Sequence, residues 1–136
     1  MTSALEKLCG AGKPLSQEPP DKAELDGLMR SGKLRLKDAQ NDQISLESRF
    51  SLAYSASHAL CLAALRRQGF RAQHRYIVFQ VLPHTLGLGP EIWRILDKCH
   101  TQRNLAEYEG LLEIDEKLFA ALVEATSIVL QALEEL

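Results

Sequence analysis

The run His100-Thr101-Gln102-Arg103-Asn104-Leu105-Ala106-Glu107-Tyr108 sets an imidazole, a guanidinium, an amide, a carboxylate and a phenol at helical spacing. At about 100° per residue, His100, Arg103 and Glu107 share one row, with Asn104 and Tyr108 on the next. Arg103 is a planar, permanently charged fork suited to phosphate or carboxylate. An amide and a phenol beside it would suit a phosphate or a ribose. Arg103 and Glu107, four residues apart, can also form an ion pair within their own helix, worth a few tenths of a kcal/mol when exposed. A ligand or nucleic-acid site and a buried polar network therefore both fit this row.

The element that must carry these groups is a helix opening at Gly89-Pro90, with proline suited to the first helical position. Its early turns bear the apolar stripe Ile92, Trp93, Ile95, Leu96 and Cys99. The stripe continues straight into His100, Arg103 and Glu107. Such groups are costly to bury without partners, so the row pairs internally, meets a partner or lines a cleft. Gly110 is the expected stop.

Three other helices are legible. Asp21 is an N-cap for a segment over 22–30, which Ser31-Gly32 is expected to interrupt before a short helix over 34–40. Ser45 caps a helix from Leu46 to about Gln68, with Gly69 as its stop. That helix is apolar on two sides. One stripe holds Leu46, Phe50, Ala53, Tyr54, Ser57 and Cys61, and a second holds Leu52, Ala56, Ala59 and Ala63. Apolar on two sides, it packs against several neighbours and is expected at the centre. His58 lies on or beside its main stripe, either as a satisfied core residue or facing Arg103 across the molecule. Asp115 opens the last helix, with Leu118, Ala121, Leu122, Ala125, Val129 and Leu133 repeating at three and four. The run from Arg75 to Leu82 suits strand or helix. With no second strand visible to pair with it, a helix over 75–86 with a kink at Pro83 is predicted. Residues 1–20, broken by Gly10, Gly12, Pro14, Pro19 and Pro20, read as a mobile N-terminal arm or a strap over the body, and 21–136 as the folded domain. The predicted fold is all-α: an antiparallel up-and-down four-helix bundle with one or two short extra helices.

The remaining composition narrows the chemistry. At 136 residues, 46% hydrophobic and 25% charged, the chain suits one globular domain. A net charge of −2 leaves no broad electrostatic footprint for nucleic acid, so any such contact must be a local patch. Cys9, Cys61 and Cys99 form no C-x-x-C pair and suit reduced, packed thiols. His58, His74, His84 and His100 show no ligand spacing, and no E-x-x-H occurs, so no metal and no cofactor is expected. There is no glycine-rich phosphate loop. No apolar run approaches a membrane span and Met1–Gly10 lacks the apolar core of a signal peptide, so a cytoplasmic protein without membrane contact is expected. Arg30, Lys33, Arg35 and Lys37 cluster on one segment, as a solvated face or, alternatively, a salt-sensitive nucleic-acid patch.

The run Arg103-Asn104-Leu105-Ala106-Glu107-Tyr108 follows a helix containing Tyr54-Ser55-Ala56-Ser57-His58, a Gly69-Phe70-Arg71 stop and His74. Together these resemble the HEPN family over roughly residues 20–136, most closely its compact bacterial subgroup with an R-N-x-x-E-Y motif. The resemblance implies a four- to five-helix bundle. It also implies a homodimer whose cleft combines an R-x(4–6)-H motif from each copy. Many such domains are metal-independent ribonucleases, including toxins and defence components, in which the arginine stabilises phosphate charge and the histidine assists proton transfer. Arg103 and Asn104 match the start of that motif. The histidine is replaced: its first allowed position holds Tyr108, and Glu109 and Gly110 follow. The resemblance thus places Arg103 and Tyr108 at a catalytic position, with His58, His100, Asn104 and Glu107 lining the cleft. RNA or a nucleotide is the implied ligand. A nucleotidyltransferase is an implied partner, and a non-catalytic interaction module is the alternative function.

Overall fold

A computed structural model of the chain describes residues 3–109 and 114–136, the side chains of 107–109 excepted. Of the described residues 69% are helical, and one two-stranded sheet joins them, which makes the described fold all-α. Four helices are long: α1 (Lys22–Ala39), α2 (Leu46–Arg67), α5 (Pro90–Glu109) and α6 (Glu116–Glu134). Two single-turn helices, α3 (Ile77–Gln80) and α4 (Leu82–Thr85), lie between α2 and α5. The strands are β1 (Leu15–Gln17) and β2 (Phe70–Ala72).

Local signals start the helices where the sequence puts them. The Asp21 carboxylate accepts from the N–H groups of Ala23 and Glu24, at 2.9 and 3.3 Å. Ser45 Oγ accepts from Ser48 N at 3.2 Å, and Asp115 Oδ1 from Leu118 N at 2.6 Å. Each cap satisfies donors that the first helical turn leaves free. Past the C-terminus of α2, Gly69 takes φ +90°, the left-handed conformation that turns the chain sharply into β2. As expected from its two apolar sides, α2 is central and packs against α1, α3, α5 and α6. Its Phe50, Tyr54, Leu60 and Leu65 are all but inaccessible, and Leu96 of α5 and Leu122 of α6 meet them in one core. Among the described residues no helix is long and apolar enough to cross a membrane.

The structure differs from the sequence reading in three places. Ser31-Gly32 does not interrupt α1, which runs unbroken from Lys22 to Ala39. Gly32 is instead the point of closest approach to α2: a Cβ there would lie 2.5 Å from Cδ2 of the buried Leu60. Glycine costs a helix about 1 kcal/mol relative to alanine, and close packing on α2 offsets it. Gly27, on the same helix, has open space around its Cα. Gly32→Val is therefore expected to lower stability by about 2 kcal/mol through overpacking. Gly27→Ala should raise it by up to about 1 kcal/mol. Urea unfolding of the two variants checks the contrast, and equal effects would contradict this packing.

The second difference lies at 75–86. The segment makes α3 and α4 with a break at Val81, not one kinked helix. Pro83 has no N–H and its ring opposes the carbonyl four residues earlier, so a continuous helix is blocked ahead of it. The third is the sheet, which the sequence reading lacked. β1 and β2 pair antiparallel, with Leu15 opposite Ala72, Ser16 opposite Arg71 and Gln17 opposite Phe70. Leu5 and Leu15 are buried, so the described part of the N-terminal segment lies over the body as a strap. The expected stop at Gly110 lies outside the described residues.

Candidate functional site

Where the α5 stripe turns polar, it meets Tyr54 of α2. Tyr54 is fully buried. His100 Nδ1 lies 2.7 Å from Tyr54 Oη, and Arg75 Nε donates to the same oxygen at 3.2 Å. On the other side of the imidazole, Asn104 Nδ2 is 3.1 Å from His100 Nε2. With the amide donating to Nε2, a neutral ring keeps its proton on Nδ1 and donates it to Tyr54 Oη. The Arg103 guanidinium stands 5.1 Å from the Tyr54 ring centroid and that of Arg75 5.6 Å from it, both within cation–π range.

Phe79 of α3 is the apolar floor. Its ring packs edge-on against Tyr54 at 6.0 Å and against His58 at 6.1 Å, and lies 6.3 Å from His100. Three helices and one turn thus converge: α2 brings Tyr54 and His58, α5 brings His100, Arg103 and Asn104, α3 brings Phe79, and the turn after β2 brings Arg75.

The electrostatics follow from this crowding. Burial, then the cations Arg75 and Arg103 and the neighbouring His100, push the His58 pKa down to about 4. Burial also lowers His100, helped by Arg75 and Arg103 and opposed by Asp97. Near neutral pH both imidazoles are therefore uncharged proton acceptors beside permanent cations. Fixed positive charge with neutral bases can hold a phosphate and take up a proton. Beside His58 opens a cleft of about 200 Å³ that includes Arg71, Gln73, His74 and Arg75. Arg71 brings little net charge to it, because Glu18 and Glu24 pair with its guanidinium at 2.6 and 2.8 Å. Arg75 is the cation the cleft has to offer.

Of the residues singled out in the sequence, His58, His100, Arg103 and Asn104 come together. His58 packs edge-on against Phe79 and lines the cleft that also holds Arg75. The side chains of Glu107 and Tyr108 lie outside the described residues, and with them the Arg103–Glu107 pair. Cys61 and Cys99 are buried, and burial raises both thiols, Cys99 to about 12. Lys33 of the basic segment pairs with Glu134 of α6 at 3.3 Å, half exposed. Among the described residues no group of three or more His, Cys, Asp or Glu could hold a metal ion.

Sequence reasoning missed Tyr54, Arg75, Tyr76 and Phe79 as site residues. Tyr54 sat in an apolar stripe where its hydroxyl gave no signal. Arg75-Tyr76 was read only as a helix start. Its one clue was a cation and two rings, His74 and Tyr76, within three residues of a turn. No family model matches the chain, and no curated protein or solved structure matches it.

Proposed function

We propose that this chain is a HEPN-like domain that associates with RNA or a nucleotide, a ribonuclease-like toxin or defence component acting in the cytoplasm at a homodimer cleft. One observation carries the reading: Arg75 and Arg103 stand at the Tyr54 ring while His58 and His100 are held neutral beside them. The four long helices fit the antiparallel up-and-down bundle that the family resemblance implies. In such a dimer a second Arg103 would face the first, and the two would clamp a phosphate. His58 or His100 would then serve where the family motif has histidine and this chain has Tyr108. A neutral imidazole has a lone pair to accept a proton at neutral pH, and a phosphate bound beside it would raise its low pKa towards the working range, whereas a phenol of ordinary pKa near 10 stays protonated there.

A second reading is supported by the hydrogen bonds the network makes within itself. Tyr54, His100 and Asn104 bond to one another, as a non-catalytic interaction module, a dimerisation domain or the partner of a nucleotidyltransferase, would require. Arg103→Ala separates the two. On the first reading, RNA cleavage or growth inhibition is lost and RNA affinity falls at least about ten-fold, with helicity intact by circular dichroism. On the second, the wild type neither cleaves nor binds RNA, and the substitution weakens dimerisation in sedimentation. A wild-type protein that stays monomeric at high concentration, with no RNA or nucleotide bound, would count against both.

A further inference from the structure

Between β2 and α3 the chain turns two rings outward. His74 and Tyr76 lie stacked, with centroids 5.7 Å apart and planes 8° from parallel. Both are exposed, Tyr76 to 40%. Residue 75 between them reaches inward, where Arg75 Nε bonds to Tyr54 Oη. The core does not need this pair: it begins at the next residue, with Ile77, Val78 and Phe79 buried.

The turn that holds the rings is tied on both sides. Gln73 N donates to Pro14 O at 2.8 Å, and Gln73 Nε2 donates to Ser16 Oγ at 2.9 Å. Ile77 N donates to His74 O at 3.3 Å. The strap thus anchors the approach to the rings, and α3 anchors the exit. The outer face of a stacked ring pair held in place loses little entropy when a further ring stacks on it.

Its neighbours say what that would be. The Tyr76 ring lies 6.1 Å from His100, so the surface runs on into the polar cluster. His74 lines the cleft of about 200 Å³ that also holds His58 and Arg75. A π-face and a fixed cation side by side match a base and its phosphate. We infer that His74 and Tyr76 form a stacking platform for an unpaired nucleobase whose phosphate is held at Arg75, and that the ligand is single-stranded RNA. This rests on the RNA reading above and narrows it. In a duplex each base face is covered by its neighbour, whereas single strands present faces to aromatic side chains.

The test uses the full chain at low salt and a labelled, non-self-complementary RNA of about ten nucleotides, the site size of such surfaces. Its arms are the same strand as a duplex and the same backbone with abasic positions. The wild type should bind the single strand best. Tyr76→Ala should weaken that binding about ten-fold, the usual loss for one stacked base. Tyr76→Phe should keep the affinity, and Tyr76→Ala should leave abasic binding unchanged. Both positions are exposed, so circular dichroism and the unfolding midpoint should not move. If duplex or abasic RNA binds as tightly as the single strand, or Tyr76→Ala binds no more weakly than wild type, the platform is overturned while the RNA reading stands. If the wild type binds none of the three, the RNA reading falls and the platform with it.

Discussion

Arg66→Met is expected to lower the unfolding free energy by about 3 kcal/mol. Arg66 sits in the last turn of α2 with its side chain 1% exposed. Its guanidinium is fully used. Nε donates to Glu24, one terminal nitrogen donates to the carbonyls of Glu18 and Phe70 at 2.9 and 3.2 Å, and the other to that of Pro19 at 2.8 Å. Removing it strips the donors from three carbonyls packed against a buried side chain. The loss stays below that of an orphaned buried ion pair because Glu18 and Glu24 keep Arg71 as partner. Lysine should not substitute, since one ammonium cannot span acceptors arranged around a planar fork. The damage should appear first where the strap meets the body, as faster amide exchange in β1 and β2, because Arg66 holds the Glu18 and Pro19 carbonyls to the end of α2 beside the bond from Glu18 N to Gly69 O at 2.9 Å. Arg67→Met is the control: Arg67 is the exposed neighbour, and its change should stay within about 0.5 kcal/mol. Urea unfolding reads both. An Arg66→Met protein as stable as wild type would show that the buried cluster contributes nothing net.

Acid should destabilise the protein well before its carboxylates are protonated. His58 carries an ordinary imidazole pKa near 6.5 in the unfolded chain and about 4 in the folded one. A depressed folded value means that the unfolded state binds the proton first. The contribution of His58 is thus fully present above about pH 6.5 and is lost as pH falls towards about 4. Allowing for its partial exposure, the loss amounts to about 2 kcal/mol across that window. His100 shifts in the same direction and adds to it. Glu18 and Glu24, held low chiefly by their hydrogen bonds to Arg71, act in a separate, more acidic window. Their contribution is present above the ordinary carboxylate pKa and is lost as pH falls through their depressed values. His58→Leu should reduce the slope in the first window to what His100 contributes and leave the second. A wild-type stability that stays level from pH 7 to about 4.5, or a variant with an unchanged slope, would contradict the environment described for His58. By the same linkage, an anion bound at Arg75 and Arg103 would offset the charges that, after burial, hold the His58 pKa down, and would raise it.

The long helices were legible because their determinants are local. Asp21, Ser45, Pro90 and Asp115 start helices through bonds or ring geometry within one turn, and the apolar periods of α2 and α6 name the faces they bury. The polar continuation of the α5 stripe was legible for the same reason: His100, Arg103 and Asn104 break a period that Ile92, Leu96 and Cys99 set up. Neighbouring residues of like type could not be told apart. Arg66 and Arg67 are both basic residues in the last turn of α2, yet one is the most enclosed cation of the described chain and the other faces water. Gly32 read as a break because glycine weakens helices, and Leu60, 28 positions on, is what makes it a contact.

What the sequence determined by itself is therefore the all-α class, the helix starts and the row on α5 where chemistry is possible. Only the tertiary structure decided that β1 pairs with β2 across more than fifty residues, that Tyr54 turns its hydroxyl to His100, and that Arg75 joins Arg103 at one aromatic ring. The reason is physical. Helical hydrogen bonds and caps join residues four or fewer apart, so their pattern is written along the chain. The strap, the ion cluster and the site are contacts between distant segments, whose partners are chosen by how α2 packs its several faces at once.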